Sequence, residues 1–194
     1  MMTAPPAPAP EALCARCLKE PPPYQVARAL ALYQGKIPSV VHGFKYLGRR
    51  DVADFAGGRM AEGFSALFGG RHYDAVVPIP LHWRRRFSRG YNQAERLAAP
   101  LALALSLPLE LGIRRRESTR RQARLNSQER QENTREAFEV PEAVLPRLQG
   151  ARLLVIDDVF TTGATVSACV RVLLQAGASR VDVYTLARTP MSPL

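Results

Sequence analysis

The chain has 194 residues, 46% of them hydrophobic, and 27 Lys+Arg against 17 Asp+Glu give a formal net charge of +10. That length carries one core of about 150 residues plus an appendage. No apolar run approaches the ~18 residues of a membrane span, so membrane insertion is not expected and a cytoplasmic location is. Of the 27 basic residues 24 are arginine, which suits bidentate contacts to a phosphorylated substrate or to nucleic acid; a compositional bias would produce the same excess.

The opening MMTAPPAPAPEAL lacks a basic region followed by an apolar one, so it is not a secretory signal, and its Pro-Ala repetition reads as a disordered lead-in. Cys14-Ala15-Arg16-Cys17 is a C-x-x-C pair, half of a structural zinc site, with no second pair or close histidine to complete it. Pro21-Pro22-Pro23 is a stiff spacer. Residues 1–23 are therefore set apart from a domain at 24–190. Val26 to Tyr33 alternates as a strand does. Pro38 opens a helix through Tyr46, with Val40, Val41 and Phe44 on one side. His42 and Lys45 are the polar candidates there, with solvated positions as the plainer account. Asp51 caps a further helix to about Leu67, on which Phe55, Met60, Phe64 and Leu67 are apolar. His72 reads as a surface residue.

Asp74 to Ile79 is a buried strand leading into PIPLHWRRRFSRGYNQAERLA. The loop holds Arg84, Arg85, Arg86 and Arg89, with Gly90 as a hinge before a helix from Asn92 to Leu105. A loop after a parallel strand lies at the carboxyl edge of the sheet, where open α/β folds bind ligands; a solvated basic face is the alternative. If the segment is helical, spacing of four puts Trp83, Phe87 and Tyr91 on one face. They would then stack bases among the arginines or, more plainly, pack the loop against the sheet. Leu109 to Arg114 reads as a short strand. Glu117 to Asn133 is strongly polar, and eight arginines fall between Arg114 and Arg135; a mobile active-site lid would sit there. Ala137 to Val140 is a short strand, and Pro141 and Pro146 bracket a turn.

The most informative stretch runs from Arg152 to Gly177. Leu153 to Ile156 is the continuous apolar run of a strand buried on both faces. Asp157 and Asp158 follow, then Thr161-Thr162-Gly163-Ala164-Thr165. A helix comes next with Val166, Val170, Leu173 and Leu174 on one side, Cys169 as a small core residue and Gly177 at its end. The free N–H groups at the start of that helix make an anion site. A carboxylate ~4 Å from a bare phosphate is repelled by about 4 kcal/mol at an effective dielectric of 20, against ~0.3–1 kcal/mol gained at the helix end. The ligand must therefore be bipolar, with phosphate over the loop and hydroxyls or a metal facing the acids, as in a ribose 5-phosphate. A Walker B strand would need a G-x-x-x-x-G-K-[ST] partner, and Gly35-Lys36 does not supply one. A receiver domain would need four further α/β units. Arg180 to Ala187 is a last alternating strand. Three strong strands alternating with helices predict an α/β fold with a parallel sheet covered on both faces.

VIDDVFTTGAT resembles the phosphoribosyl pyrophosphate (PRPP) motif of type I phosphoribosyltransferases: an apolar run, two acids, a spacer, then Thr-Thr-Gly-x-Thr. Four blocks in order extend the likeness to the ComF family of competence-associated, phosphoribosyltransferase-like proteins: CARCL before a proline run, VVPIPLHWRRRFSRGYNQAERLA, RRQARLNSQERQENTREAF and VIDDVFTTGAT. They span most of residues 14–187. The resemblance implies a mostly parallel twisted sheet with helices on both faces and a small hood at 24–50. Asp157 and Asp158 would bind the ribose hydroxyls, and Thr161, Thr162, Gly163, Ala164 and Thr165 would cradle the 5-phosphate. Pro80, Leu81 and His82, with Arg84, Arg85 and Arg89, would hold pyrophosphate and Mg²⁺. Residues 114–136 would close over the site, with Arg120, Gln122, Arg130 and Asn133 in that loop.

Type I enzymes displace pyrophosphate from C1 of the ribose through an oxocarbenium-like transition state, which calls for a dry, closed site. That is a chemistry of nucleoside metabolism, and no general base or acceptor is visible in the sequence. The family's link to natural transformation and DNA uptake implies a second reading. This is a non-catalytic single-stranded-DNA-binding or adaptor protein that keeps a PRPP pocket and meets competence helicase and recombination proteins. Family members usually carry a zinc finger built from more than one cysteine pair. With Cys14 and Cys17 alone, stable zinc is not expected in a single chain, although two chains could share an ion as a homo-oligomer.

Overall fold

A computed structural model describes residues 15–116 and 137–190. Cys14 and the closing-loop residues Arg120, Gln122, Arg130 and Asn133 lie outside them. In chain order the elements are α1 (Ala15–Lys19), β1 (Ala27–Leu32), α2 (Ile37–Tyr46), α3 (Arg50–Phe68), β2 (Ala75–Pro78), α4 (Trp83–Arg89), α5 (Gln93–Leu105), β3 (Arg114–Arg115) and β4 (Phe138–Glu139). After a 3₁₀ turn (Glu142–Val144) come α6 (Leu145–Leu148), β5 (Arg152–Phe160), α7 (Ala164–Gln175) and β6 (Arg180–Arg188).

Four parallel strands form the main sheet in the order β1-β6-β5-β2. The two central strands are the longest, and side chains alternate along them to opposite faces. Leu153 and Val155 of β5 join a core with Val166, Cys169, Val170 and Leu173 of α7. Leu154 and Ile156 join the other core, built from α2, α3 and α5 around Phe44, Met60, Phe68, Leu97 and Leu101. That two-sided burial is why β5 reads as unbroken apolar sequence. β3 and β4 form a separate antiparallel pair.

Helix α3 presses closely on α5. A Cβ built on Gly57 would fall 2.7 Å from the Leu97 carbonyl oxygen, so only glycine fits at the contact. The buried residues of α3 are Ala53, Ala56, Gly57, Met60, Phe64 and Phe68. Phe55 is out of phase with that stripe and 71% exposed, contrary to its expected place in the apolar face. Asp51 lies in the first turn of α3, 2.8 Å from Arg49, and makes no side-chain cap.

Three further expectations are corrected. The arginine-rich segment is a helix, α4, and Gly90 (φ +73°) ends it as a left-handed C-cap where a hinge was expected. The strand expected at 109–114 reduces to an isolated bridge from Leu109 to Val76 and the two-residue β3. Within 24–50, Ala27–Leu32 pairs with β6 in the main sheet, so only α2 is left of the expected hood. His72 is exposed, as the sequence implies.

Candidate functional site

The carboxyl edge of the sheet gathers the two loops that the sequence singles out. Pro78 of β2 is in register with Ile156 of β5, and the Ile79 N–H donates to the Ile156 carbonyl at 2.9 Å. The chain therefore leaves β2 after Pro78, next to the point where β5 reaches its two acids.

Asp157 is half-buried and in register with Thr185 of β6, while Asp158 is only 8% exposed. The Asp158 N–H donates to Asp157 Oδ1 at 2.8 Å. Lys45 Nζ, from α2, lies 2.9 Å from Asp158 Oδ2. Burial first, and then the neighbouring Asp158 charge, raise the Asp157 carboxyl well above the usual carboxylate range, while Lys45 and Arg115 act against that rise. The guanidinium of Arg115, on β3, lies over the Phe138 ring, 5.4 Å from its centroid. Burial and the nearby Arg85 push its pKa down, and Asp157 pushes it up. The Cys169 thiol behind the acids is fully buried and pushed up to about 12, by burial and by Asp157.

Gly163 opens α7 with φ +78°, and a Cβ there would fall 2.7 Å from Phe160 Cζ. Left-handed backbone and lack of room both demand glycine at that position. The Ala164 N–H donates to Thr162 Oγ1 at 3.4 Å. Thr161, Thr162 and Ala164 are exposed and Thr165 is half-buried, so the loop leaves hydroxyl and backbone donors at the start of the helix. Phe160 anchors its base, edge-on to Tyr24 at 6.2 Å and beneath Arg188 at 5.8 Å.

The second loop is more committed to local contacts than the sequence implies. His82 Nδ1 accepts from the Arg84 N–H at 3.3 Å. Arg84 stacks on Trp83 at 5.3 Å, and Arg89 lies over Tyr46 at 5.2 Å. Arg86 pairs with Glu95 at 3.0 Å. Arg85 is exposed on α4. A cleft of about 370 Å³ is lined by Pro80, Leu81, Trp83, Leu111 and Arg115 among others. None of residues 157–165 lines it, so the cavity lies on the side of the Pro80–His82 turn and the acid pair stands at its own end of the edge.

Two residues belong to the site that sequence reasoning undervalued. Lys45 is no solvated position; it falls four residues after buried Val41 on the inner side of α2, which is the signal that points to it. Arg115 alternates inward from exposed Arg114, a pattern too short to be read from two residues. His42 is exposed, against Tyr46 at 5.0 Å, as expected. The three aromatics separate: Tyr91 is buried with its hydroxyl donating to the Phe44 carbonyl, whereas Trp83 is 53% and Phe87 88% exposed. The latter two therefore do not pack α4 onto the sheet. Among the described residues no group of three His, Cys, Asp or Glu side chains could hold a metal ion, and no helix is long and apolar enough to cross a membrane.

The phosphoribosyl transferase domain family matches residues 89–193, which include the acid pair and the threonine loop. The DNA utilization protein YhgH of Salmonella typhimurium is 34% identical over 190 residues, covering 95% of this chain and 81% of that one. Competence protein F of Haemophilus influenzae is 28% identical, covering 90% and 78%.

The chain belongs to the ComF family.

Among solved structures, the glutamine PRPP amidotransferase of B. subtilis is similar in fold, with a TM-score of 0.52 and 21% identity; the match covers 75% of this chain and 30% of that enzyme. The parallel sheet with helices on both faces is the type I phosphoribosyltransferase architecture that the ComF resemblance implies.

Proposed function

We propose that the protein binds PRPP at the end of β5 and acts as a phosphoribosyltransferase linked to DNA uptake in the cytoplasm. One observation carries the reading: the complete acid-acid…Thr-Thr-Gly-x-Thr string is folded as strand end, loop and helix start, with Gly163 in the left-handed conformation at the start of α7. The 5-phosphate takes the loop from Thr161 to Thr165, and the ribose hydroxyls take Asp157 and Asp158. The diphosphate takes the side of the Pro80–His82 turn, where Arg85 and Arg115 supply positive charge. Mg²⁺ would come with the diphosphate as its counter-ion, since the described residues offer no ready-made metal cluster. The acceptor that attacks C1 is left open by the site. Calorimetry with PRPP and Mg²⁺ tests the reading. Asp157→Asn/Asp158→Asn is expected to weaken binding at least tenfold, and equal affinity in both proteins would remove the idea.

A specific observation also favours the second reading, a single-stranded-DNA-binding or adaptor role. Trp83 and Phe87 are exposed along α4 beside Arg84, Arg85 and Arg89. Exposed aromatics within a basic surface are what base stacking on a single strand requires. The names of the two relatives, one for DNA utilization and one for competence, agree with such a role.

A further inference from the structure

The four carboxylate oxygens of the acid pair are not equivalent. Asp157 Oδ1 accepts from the Asp158 N–H, and Asp158 Oδ2 is held by Lys45. Among the described residues no hydrogen bond engages Asp157 Oδ2 or Asp158 Oδ1. Two acceptors on adjacent residues are thereby left for a ligand, the number that a vicinal diol needs. Asp158 is nearly buried, and a buried carboxylate is costly unless it has a partner. Lys45 is that partner, and it is delivered by α2, remote in sequence from the loop. Its own side chain is 24% exposed, so the pair is shielded from solvent.

We infer that Lys45 is a positioning residue of the sugar site: by holding Asp158 Oδ2 it keeps the acid pair aimed, leaving one oxygen on each aspartate to accept a hydroxyl of a ribose 5-phosphate ligand. The inference deepens the PRPP reading and rests on it for the ligand. The charged groups facing Asp157 are Asp158, Lys45 and Arg115, with the Cys169 thiol behind. Removing Lys45 takes away one of the two cations that favour the ionised form of Asp157.

The experiment compares wild type with Lys45→Met, which keeps length without charge, and Lys45→Arg, which restores the charge. The Asp157 carboxyl is followed by ¹³C NMR across pH in the ligand-free protein, and PRPP with Mg²⁺ is titrated into each. Lys45→Met should move the Asp157 midpoint to higher pH and weaken PRPP binding about tenfold or more, most at the acid end of the series. Lys45→Arg should restore most of both. An unmoved midpoint in a folded Lys45→Met protein overturns the inference, as does a moved midpoint with wild-type PRPP affinity throughout. If wild type itself does not bind PRPP, the PRPP reading fails; the midpoint shift, rescued by arginine, then still upholds the hold of Lys45 on the acid pair.

Discussion

At Asp157 the proposed sugar-binding role and stability pull in opposite directions. Its carboxyl titrates well above the ~4 of an unfolded chain, so over the intervening pH range the folded state keeps a proton that the unfolded state has lost. The folded state is then increasingly disfavoured as pH rises from the unfolded value through the folded one, and the loss is complete above it. Asp157→Asn should therefore be more stable than wild type near neutral pH, by about 1 kcal/mol or more, with the difference vanishing toward about pH 4. Urea unfolding of the two proteins at several pH values measures it; a difference that grows toward acid would show the sign to be wrong. PRPP affinity should run the other way in wild type, falling as acid protonates Asp157, because a hydroxyl needs an acceptor there. Asp157, Asp158 and Thr161 to Thr165 are legible in the sequence because the chemistry sits on consecutive residues. The pairing of Lys45 with Asp158 is not, because nothing local ties α2 to β5; the folded sheet brings the two groups within 2.9 Å.

Among the elements, the contact between α3 and α5 is set by a backbone approach that periodicity does not report. Alternation and heptad-like spacing place the helices well, yet they put Phe55 inside and give no hint that Gly57 lies against the Leu97 carbonyl. Gly57→Ala should gain helix propensity and still destabilise the protein by about 1–3 kcal/mol, since the neighbouring atom is main chain and cannot swing aside. The adjacent Gly58 has open space around its Cβ position, so Gly58→Ala should be neutral or slightly stabilising. Thermal unfolding of the pair gives the contrast directly. α4 is hard to see in the sequence for a related reason: seven residues of Trp, Phe, Ser and Arg carry no apolar stripe, and none of them is buried. Its helicity rests on the His82 cap and the left-handed Gly90, which are features of its ends.

For the whole molecule, the +10 charge and the exposed α4 aromatics make one joint prediction. If single-stranded DNA binds along α4, affinity should fall with salt at a log–log slope of about −0.7 per phosphate contacted. Trp83→Ala with Phe87→Ala should weaken binding with little change in slope, whereas Arg84→Ala with Arg85→Ala should flatten the slope. If Arg85 serves both ligands, PRPP should compete. Fluorescence anisotropy with an oligonucleotide across a salt series reads all of these, and an absence of binding at low salt leaves the charge as a compositional matter. The strand order has a consequence of another kind. β1 and β2, the first two strands of the sheet to be synthesised, never touch; each lies against one of the last two, β6 and β5. At about 5–20 residues per second, the ribosome takes several seconds after finishing β2 to reach β5, its neighbour in the sheet. Throughout that interval β2 has no strand of the sheet to join: α2, α3 and α5 can shelter Val76, but Val77 faces the opposite core and waits for β5 and α7, as the lysine of α2 waits for its acid pair.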